Sequence, residues 1–330
     1  MIAYIARRLL FMIPTLFLIS IASFVIISLP PGDYLTTIIA QMRSQGGDVD
    51  QSRIAALQLR YGLDSPLWVQ YFKWIGGVLT GDFGESFQLN RSVSSVLAQR
   101  LPLTIVISFC TLMFSWIVAL PVGLYSAVRQ YKVGDYIATT IGFLGLAVPN
   151  FMIALVLMYI GYRYFGQSVG GLFSPDYVDA RWNLGKLLDL FSHLWVPIIV
   201  LGSAGTAGLI RILRANLLDE LRRPYVVAAR ARGVPERKLI LKYLLRVALN
   251  PFISTIGWVL PALVAGEVIV AQVLSLPTTG PVLLSSLTSQ DMYLAGSIIL
   301  VTSLLTVIGT LLSDFALAWL DPRVRLRMAR

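Results

Sequence analysis

An all-α, polytopic membrane protein with six transmembrane helices is predicted by three observations. The chain of 330 residues is 56% hydrophobic and only 13% charged, with a mean hydropathy of +0.74; soluble domains carry about 25% charged residues. Its apolar residues gather into six runs, near 9–29, 102–128, 137–162, 194–215, 252–274 and 293–319, long enough to cross about 30 Å of hydrocarbon. The segments between them sort by charge. With the N-terminus inside, 1–8, 129–136, 211–251 and 320–330 hold 18 of the 27 Lys/Arg and 5 acids, whereas 30–101, 163–193 and 275–292 hold 9 Lys/Arg and 10 acids. The positive-inside rule then puts both termini in the cytoplasm.

The elements follow in order. Arg7-Arg8 and the run Leu9 to Leu29 have the look of a secretory signal, but the run exceeds a signal core of about 7–15 residues. Residues 1–29 are therefore expected to be a cytoplasmic end and a retained first transmembrane helix. Segment 30–101 is too long for a plain connector. Leu57, Leu67, Trp68, Tyr71, Phe72, Trp74 and Ile75 fall at helical spacing, as in amphipathic helices lying at the outer membrane face; scaffold packing and partner binding are both open for them. Pro14, Pro121, Pro149, Pro197 and Pro261 sit inside the runs, where neighbouring helices tolerate such breaks. Gly202, Gly205 and Gly208 are spaced for close approach of another helix backbone. The single cysteine, Cys110, excludes an internal disulfide or a cysteine-based zinc cluster. His193 is the only histidine, so no Ser/His/Asp site is framed; an interfacial cap and a proton relay are its two readings.

The cytoplasmic segment 216–251 carries the most specific local pattern. Good helix formers run from Leu217 to Arg232 with Pro224 as an interruption, and Gly233 then suits a left-handed residue past a helix end. Pro235 can open a second helix, with Glu236 at its positive end. Arg237, Lys238, Lys242 and Arg246 could simply attract anionic headgroups. That charge does not account for a short helix presenting Ala228, Ala229 and Ala231 before a required turn, which favours insertion into a protein cleft.

At these residues the chain resembles the inner-membrane permeases of ABC importers, in the dipeptide/oligopeptide/nickel branch. Their Glu-Ala-Ala, three residues, Gly pattern is present as Val227-Ala228-Ala229, Arg230-Ala231-Arg232, Gly233, with Val227 in place of Glu. The ordered series also includes IARRLLFMIPTLFLIS at the start, PGD at 31–33, YGLDSPLWVQYFKWIGGVLTGDFGES at 61–86, RLPLT at 100–104, SLP at 275–277 and LDPRVR at 320–325. The resemblance implies a type I ABC-importer permease fold in the bacterial inner membrane. It divides the chain into 1–29, an extracytoplasmic segment 30–101, a five-helix core 102–319 that contains the coupling loop 216–251, and a basic tail 320–330.

It further implies that Tyr225, Val227, Ala228, Ala229, Arg230, Arg232 and Gly233 dock an ATPase as the coupling helix. The implied partners are a second homologous permease, two ATP-binding-cassette ATPases and an extracytoplasmic solute-binding protein; no nucleic acid is involved. No Gly-x-x-x-x-Gly-Lys-Ser/Thr occurs in the chain, so no cofactor is expected on it, and ATP and Mg belong to the partner subunits.

Pathway candidates are Glu267, Gln272, Thr278, Thr279 and Asp314. A carboxylate in hydrocarbon is costly and should face the bundle interior or a cavity. For Asp314 structural pairing is favoured over substrate contact. Glu267 stands one turn before Ala271, where relatives often carry an acid, and is either a structural compensation or a re-aimed pathway carboxylate. Thr278 replaces a glycine of the relatives' Ser-x-Pro-Gly-x-Gly; hydroxyls there would touch a polar substrate or cap the next helix. A peptide-like solute is expected, with an oligosaccharide or glycoside as the alternative suited to a hydroxyl-rich mouth. A stand-alone ion-coupled transporter is the alternative from another class. It would call for internal repeats and discontinuous helices.

Overall fold

In hydrocarbon every backbone N–H and C=O must be satisfied within the protein, which leaves the α-helix as the default for apolar runs of this length. The computed structural model describes residues 2–28, 65–86, 88–166, 170–257 and 268–320, and helices dominate it. Chain contacts divide it into two units: Met1–Leu103 with Thr278–Leu305, and Thr104–Pro277 with Thr306–Arg330. Leu57, the PGD segment at 31–33, Glu267 and the tail 321–330 lie outside the described residues.

The first unit begins with α1 (Ile2–Ser28) and continues with α2 (Leu67–Leu79). Tyr71 and Trp74 of α2 are buried against Phe24 of α1, with ring centroids 5.5 and 6.0 Å apart. The Tyr71 hydroxyl shares a 2.8 Å hydrogen bond with Ser20. Leu67, Trp68 and Phe72 remain exposed on the opposite side. The apolar residues expected to line one amphipathic face are therefore divided between buried and exposed positions. A two-residue hairpin follows, β1 (Glu85–Ser86) with β2 (Arg91–Ser92), in register Glu85 to Ser92 and Ser86 to Arg91. It leads into α3 (Val93–Val128), whose Val93, Val96 and Leu97 pack on Leu294 and Ile298.

The helical hairpin α10 (Thr279–Thr288) and α11 (Met292–Leu320) turns at Gln290, which is left-handed at φ 57°. Asp291 closes this turn from both sides. Its N–H bonds to the Ser286 carbonyl at 2.8 Å, and its Oδ1 accepts from Leu294 N–H at 3.2 Å as the cap of α11. Its Oδ2 accepts from the Ser86 hydroxyl and from Gln88 N–H at 3.1 Å. The carboxylate is fully buried.

In the second unit, α3 and α6 (Leu184–Leu221) run 36 and 38 residues. At 1.5 Å per residue each is about 55 Å long, well beyond a bilayer core, so both extend past the runs 102–128 and 194–215 read from hydropathy. The expected straight span over 137–162 is instead two helices, α4 (Val133–Ala147) and α5 (Asn150–Phe165), bent by 103°. Pro149 causes the break. It has no N–H to give, and its ring pushes Val148 out of the helical region, to φ −87° and ψ 125°. Gly202 meets the Phe114 ring rather than a backbone; close backbone approaches are at Gly145, facing the Ser203 carbonyl, and at Gly257, facing the Thr310 backbone.

The short α7 (Pro224–Ala231) leads to α8 (Glu236–Gly257), which carries a π-helical stretch at Leu239–Leu244. The apolar helix thus begins well before the expected span 252–274, whose residues 258–267 lie outside the described ones. α9 (Val268–Val273) ends at Ser275, left-handed at φ 53°. Among the described residues four helices, α3, α6, α8 and α11, are long and apolar enough to cross a membrane, and five spans result if the bent α4–α5 pair counts as one.

Replacing Asp291 with Ala should cost about 1–3 kcal/mol, because buried donors on Ser86, Gln88 and Leu294 lose their acceptor. A lower melting temperature of the purified protein in detergent is the expected result, with Asp291→Asn less affected.

Candidate functional site

The region 214–257 is built outward from one apolar core in the second unit. Leu209, Leu213 and Leu217 of α6, Val226 of α7, and Leu239, Ile240, Leu244, Ala248 and Phe252 of α8 are buried together with Ala119 and Ala127 of α3. Trp116 of α3 meets the Phe252 ring edge-on, and its indole N–H donates to Thr255 at 3.2 Å. Thus α7, only eight residues long, joins through Val226 an apolar core shared by three long helices. Full burial of one valine is worth about 1.5–3 kcal/mol.

Both ends of α7 are held by local chemistry. Pro224 occupies its first turn, where a missing N–H costs nothing. The Tyr225 hydroxyl donates to Glu220 Oε1 at 2.7 Å, and Arg223 lies 3.6 Å from Glu220 Oε2. At the far end Gly233 is left-handed, with φ 76°. Gly233 N–H bonds to Arg230 O at 2.9 Å and Val234 N–H to Ala229 O at 3.1 Å, the paired bonds of a Schellman stop. Val234 and Ala229, the residues that such a stop brings together, both pack against the common core.

Arg230 Nε donates to Glu236 Oε2 at 3.0 Å and its Nη2 to Oε1. This hydrogen-bonded guanidinium holds the Glu236 carboxyl below its ordinary range. The pair is therefore present at neutral pH and lost only as pH falls through that lowered value.

These contacts sort the sequence-derived residues. Tyr225, Val227, Ala228, Arg230, Arg232 and Gly233 are exposed, Val227 by 57%. Ala229 differs from the expectation of an outward-facing seat, because it stands three residues after Val226 and shares its inward face. Arg230 is spent within the chain, on Glu236, and Arg246 donates to Leu320 O at 2.9 Å at the end of α11. Val226 and Glu220 were missed; an i, i+3 apolar pair inside the loop was the available signal for Val226.

Of the pathway candidates, Glu267 lies outside the described residues. Gln272 is exposed on α9 and Asp314 half-buried on α11, while Thr278 and Thr279 are 7% and 1% exposed. Thr278 stands at the start of α10 without a side-chain capping bond. His193 Nδ1 lies 2.8 Å from Asp189 O.

Sequence reading also missed a buried ion pair. Arg214 of α6 meets Asp135 of α4 through two bonds, Nε to Oδ1 and Nη2 to Oδ2, each 2.9 Å. Tyr131 N–H adds a third bond to Oδ2 at 2.9 Å. The Asp135 side chain is 3% exposed and that of Arg214 27%. The signal was an acid in the first turn of α4, two residues after its start.

A multi-pass membrane protein with a short capped helix fastened beneath its spanning helices is the class that this arrangement defines. Two family models match the chain: "Binding-protein-dependent transport system inner membrane component" over residues 119–326, and its N-terminal counterpart over 1–108. The chain belongs to this family of ABC-importer inner-membrane permeases. It is a transport component of the bacterial inner membrane.

It is 35% identical to the oligopeptide transport system permease protein AppB of Bacillus subtilis (strain 168), over 98% of this chain and 99% of that protein. The dipeptide transport system permease protein DppB of Lactococcus lactis subsp. cremoris is 30% identical, over 99% and 100%. The nickel import system permease protein NikB of Staphylococcus aureus (strain bovine RF122) is 30% identical, over 97% and 91%.

Asp135→Ala would leave the Arg214 charge among apolar neighbours. Since Arg214 retains some solvent contact, the loss should sit near the low end for broken buried pairs, about 3 kcal/mol. Thermal unfolding in detergent checks this, and Arg214→Lys with Asp135 intact should retain only part of the stability because lysine cannot form the two-bond fork.

Proposed function

We propose that this chain forms half of the translocation pathway of an ATP-driven importer for a peptide-like solute, and that α7 is the seat of an ATPase subunit. The observation that carries the reading is the two-sided character of α7. Val226 and Ala229 join it to the core shared by α3, α6 and α8, while Tyr225, Val227, Ala228 and Arg232 are exposed. A partner that grips the free side moves the fastened side with it, and the motion passes to α6 and α8 without slack. The stop at Gly233 and the Arg230–Glu236 bridge keep α7 at one angle. ATP and Mg are used by that partner.

The remaining parts of the reading rest on family membership and on sequence. Import by this family depends on a binding protein, as its name states, and that protein would deliver solute to the outer face. A second, similar permease would complete the pathway, with one ATPase beneath each. Six spans with both termini cytoplasmic is the topology that agrees with the charge count. A peptide-like solute follows from the oligopeptide and dipeptide permeases among the relatives. A glycoside was suited to a hydroxyl-rich mouth after SLP, and the burial of Thr278 and Thr279 gives that alternative less support.

Val227→Asp should abolish co-purification of the ATPase and ATP-dependent uptake while the chain still inserts and melts normally, since Val227 supports no core contact. Gly233→Val, forced into a left-handed backbone, should lose uptake as well. Normal ATPase recovery and normal uptake in both variants would sink the docking assignment. Uptake by the lone chain driven by a proton gradient would overturn the ATP-driven reading.

A further inference from the structure

An open groove of about 780 Å³ runs between α3, α4 and α6, lined among others by Phe114, Val118, Tyr125, Ile141, Ala207 and Ile210. Apart from Tyr125, Ser203 and Thr206 its lining is apolar, and the Ser203 hydroxyl is returned to the Val200 carbonyl. We propose that this groove holds one acyl tail of an anionic phospholipid from the cytoplasmic leaflet, with its phosphate at the basic turn of Arg129 and Lys132. The proposal rests on residence in the membrane and on the charge-derived orientation, and is independent of the role given to α7.

Length argues first. The lining positions on α3 run from Phe114 to Tyr125 and those on α6 from Ile199 to Ile210, about 17 Å along each helix at 1.5 Å per residue. That is about half of the 30 Å hydrocarbon thickness, the depth of a single leaflet. A transmembrane helix from a partner would need a seat along the whole thickness, and is about 10 Å wide with its side chains.

Charge argues second. The groove ends at Tyr125, and the Arg129 guanidinium lies 5.7 Å from the centre of that ring. Arg129 and Lys132 are exposed on the α3–α4 turn, on the side where the charge count places the cytoplasm. Anionic headgroups concentrate there, and basic pockets between spanning helices recognise them. The neighbouring Asp135 does not oppose an anion, because its carboxylate is engaged by Arg214 and the Tyr131 amide.

Construction argues third. Tyr125 packs directly on Gly134, where a methyl group would overlap the tyrosine hydroxyl and displace the ring. The cation, the ring and the glycine therefore form one built end to the groove.

The test uses the transporter purified with the subunits it assembles with, in nanodiscs of phosphatidylglycerol and phosphatidylcholine. A benzophenone amino acid replaces Ile141, which is 64% exposed. Irradiation should yield a phosphatidylglycerol adduct; an adduct to a second polypeptide at this position would overturn the proposal. Native mass spectrometry should show retained phosphatidylglycerol falling by at least about thirtyfold in the double variant Arg129→Glu, Lys132→Glu, as expected for losing two basic residues at a headgroup site. Ala138→Phe, which fills the groove and leaves the turn intact, should abolish the Ile141 adduct. Unchanged phosphatidylglycerol retention in the charge-reversed protein, or an unchanged adduct in the filled one, would refute the assignment.

Discussion

Val226 buries its side chain completely in the core that α3, α6 and α8 share, and the placement of α7 depends on that burial. Without it α7 would be an eight-residue helix, too short to hold its own hydrogen bonds in water. With it, the same segment becomes a fixed projection from three long helices. The bonds from Glu220 and from Glu236 then select its angle, and neither could hold it alone, because each involves partly solvated side chains worth little individually. Burial supplies the stability and the polar contacts supply the direction.

Every described interruption of the helices is closed by a specific device. Val148-Pro149 turns α4 into α5 by 103°, and the ends of α7, α9 and α10 stop at left-handed Gly233, Ser275 and Gln290. Paired carbonyl bonds accompany each of these three stops. Such closure matters more in a membrane than in water, since an unsatisfied backbone group near lipid costs several kcal/mol. Buried carboxylates follow the same logic. Asp291 and Asp135 each accept from backbone N–H groups as well as side chains, so neither charge is buried without compensation.

Membrane residence, the helical class and the α7–Gly233–Pro235 turn were legible in the sequence because each is local. A long apolar run, a sided charge count, and a glycine followed by a proline need no distant partner to be read. The helical character of α2 was also legible, from Tyr71 and Trp74 at helical spacing, but not which of its apolar residues would be buried. The direction in which Ala229 points was not, since its neighbours in sequence are alanines and arginines and only Val226 reveals the inward face. Burial of Thr278 and Thr279 was likewise hidden, because a threonine at a helix start reads equally as a cap or a surface hydroxyl.

The sequence by itself determined that this chain is a membrane permease and where the short knob at α7 begins and ends. Hydrophobicity, charge and backbone permissiveness are properties of single residues or short runs, so they survive without coordinates. Only the tertiary structure decided which face of that knob is free, that Arg230 serves Glu236, that Asp135 answers Arg214 across 79 positions, and that the third apolar run folds sharply at Pro149. Those outcomes depend on which helices meet. Sequence spacing carries no information about that until the chain has packed.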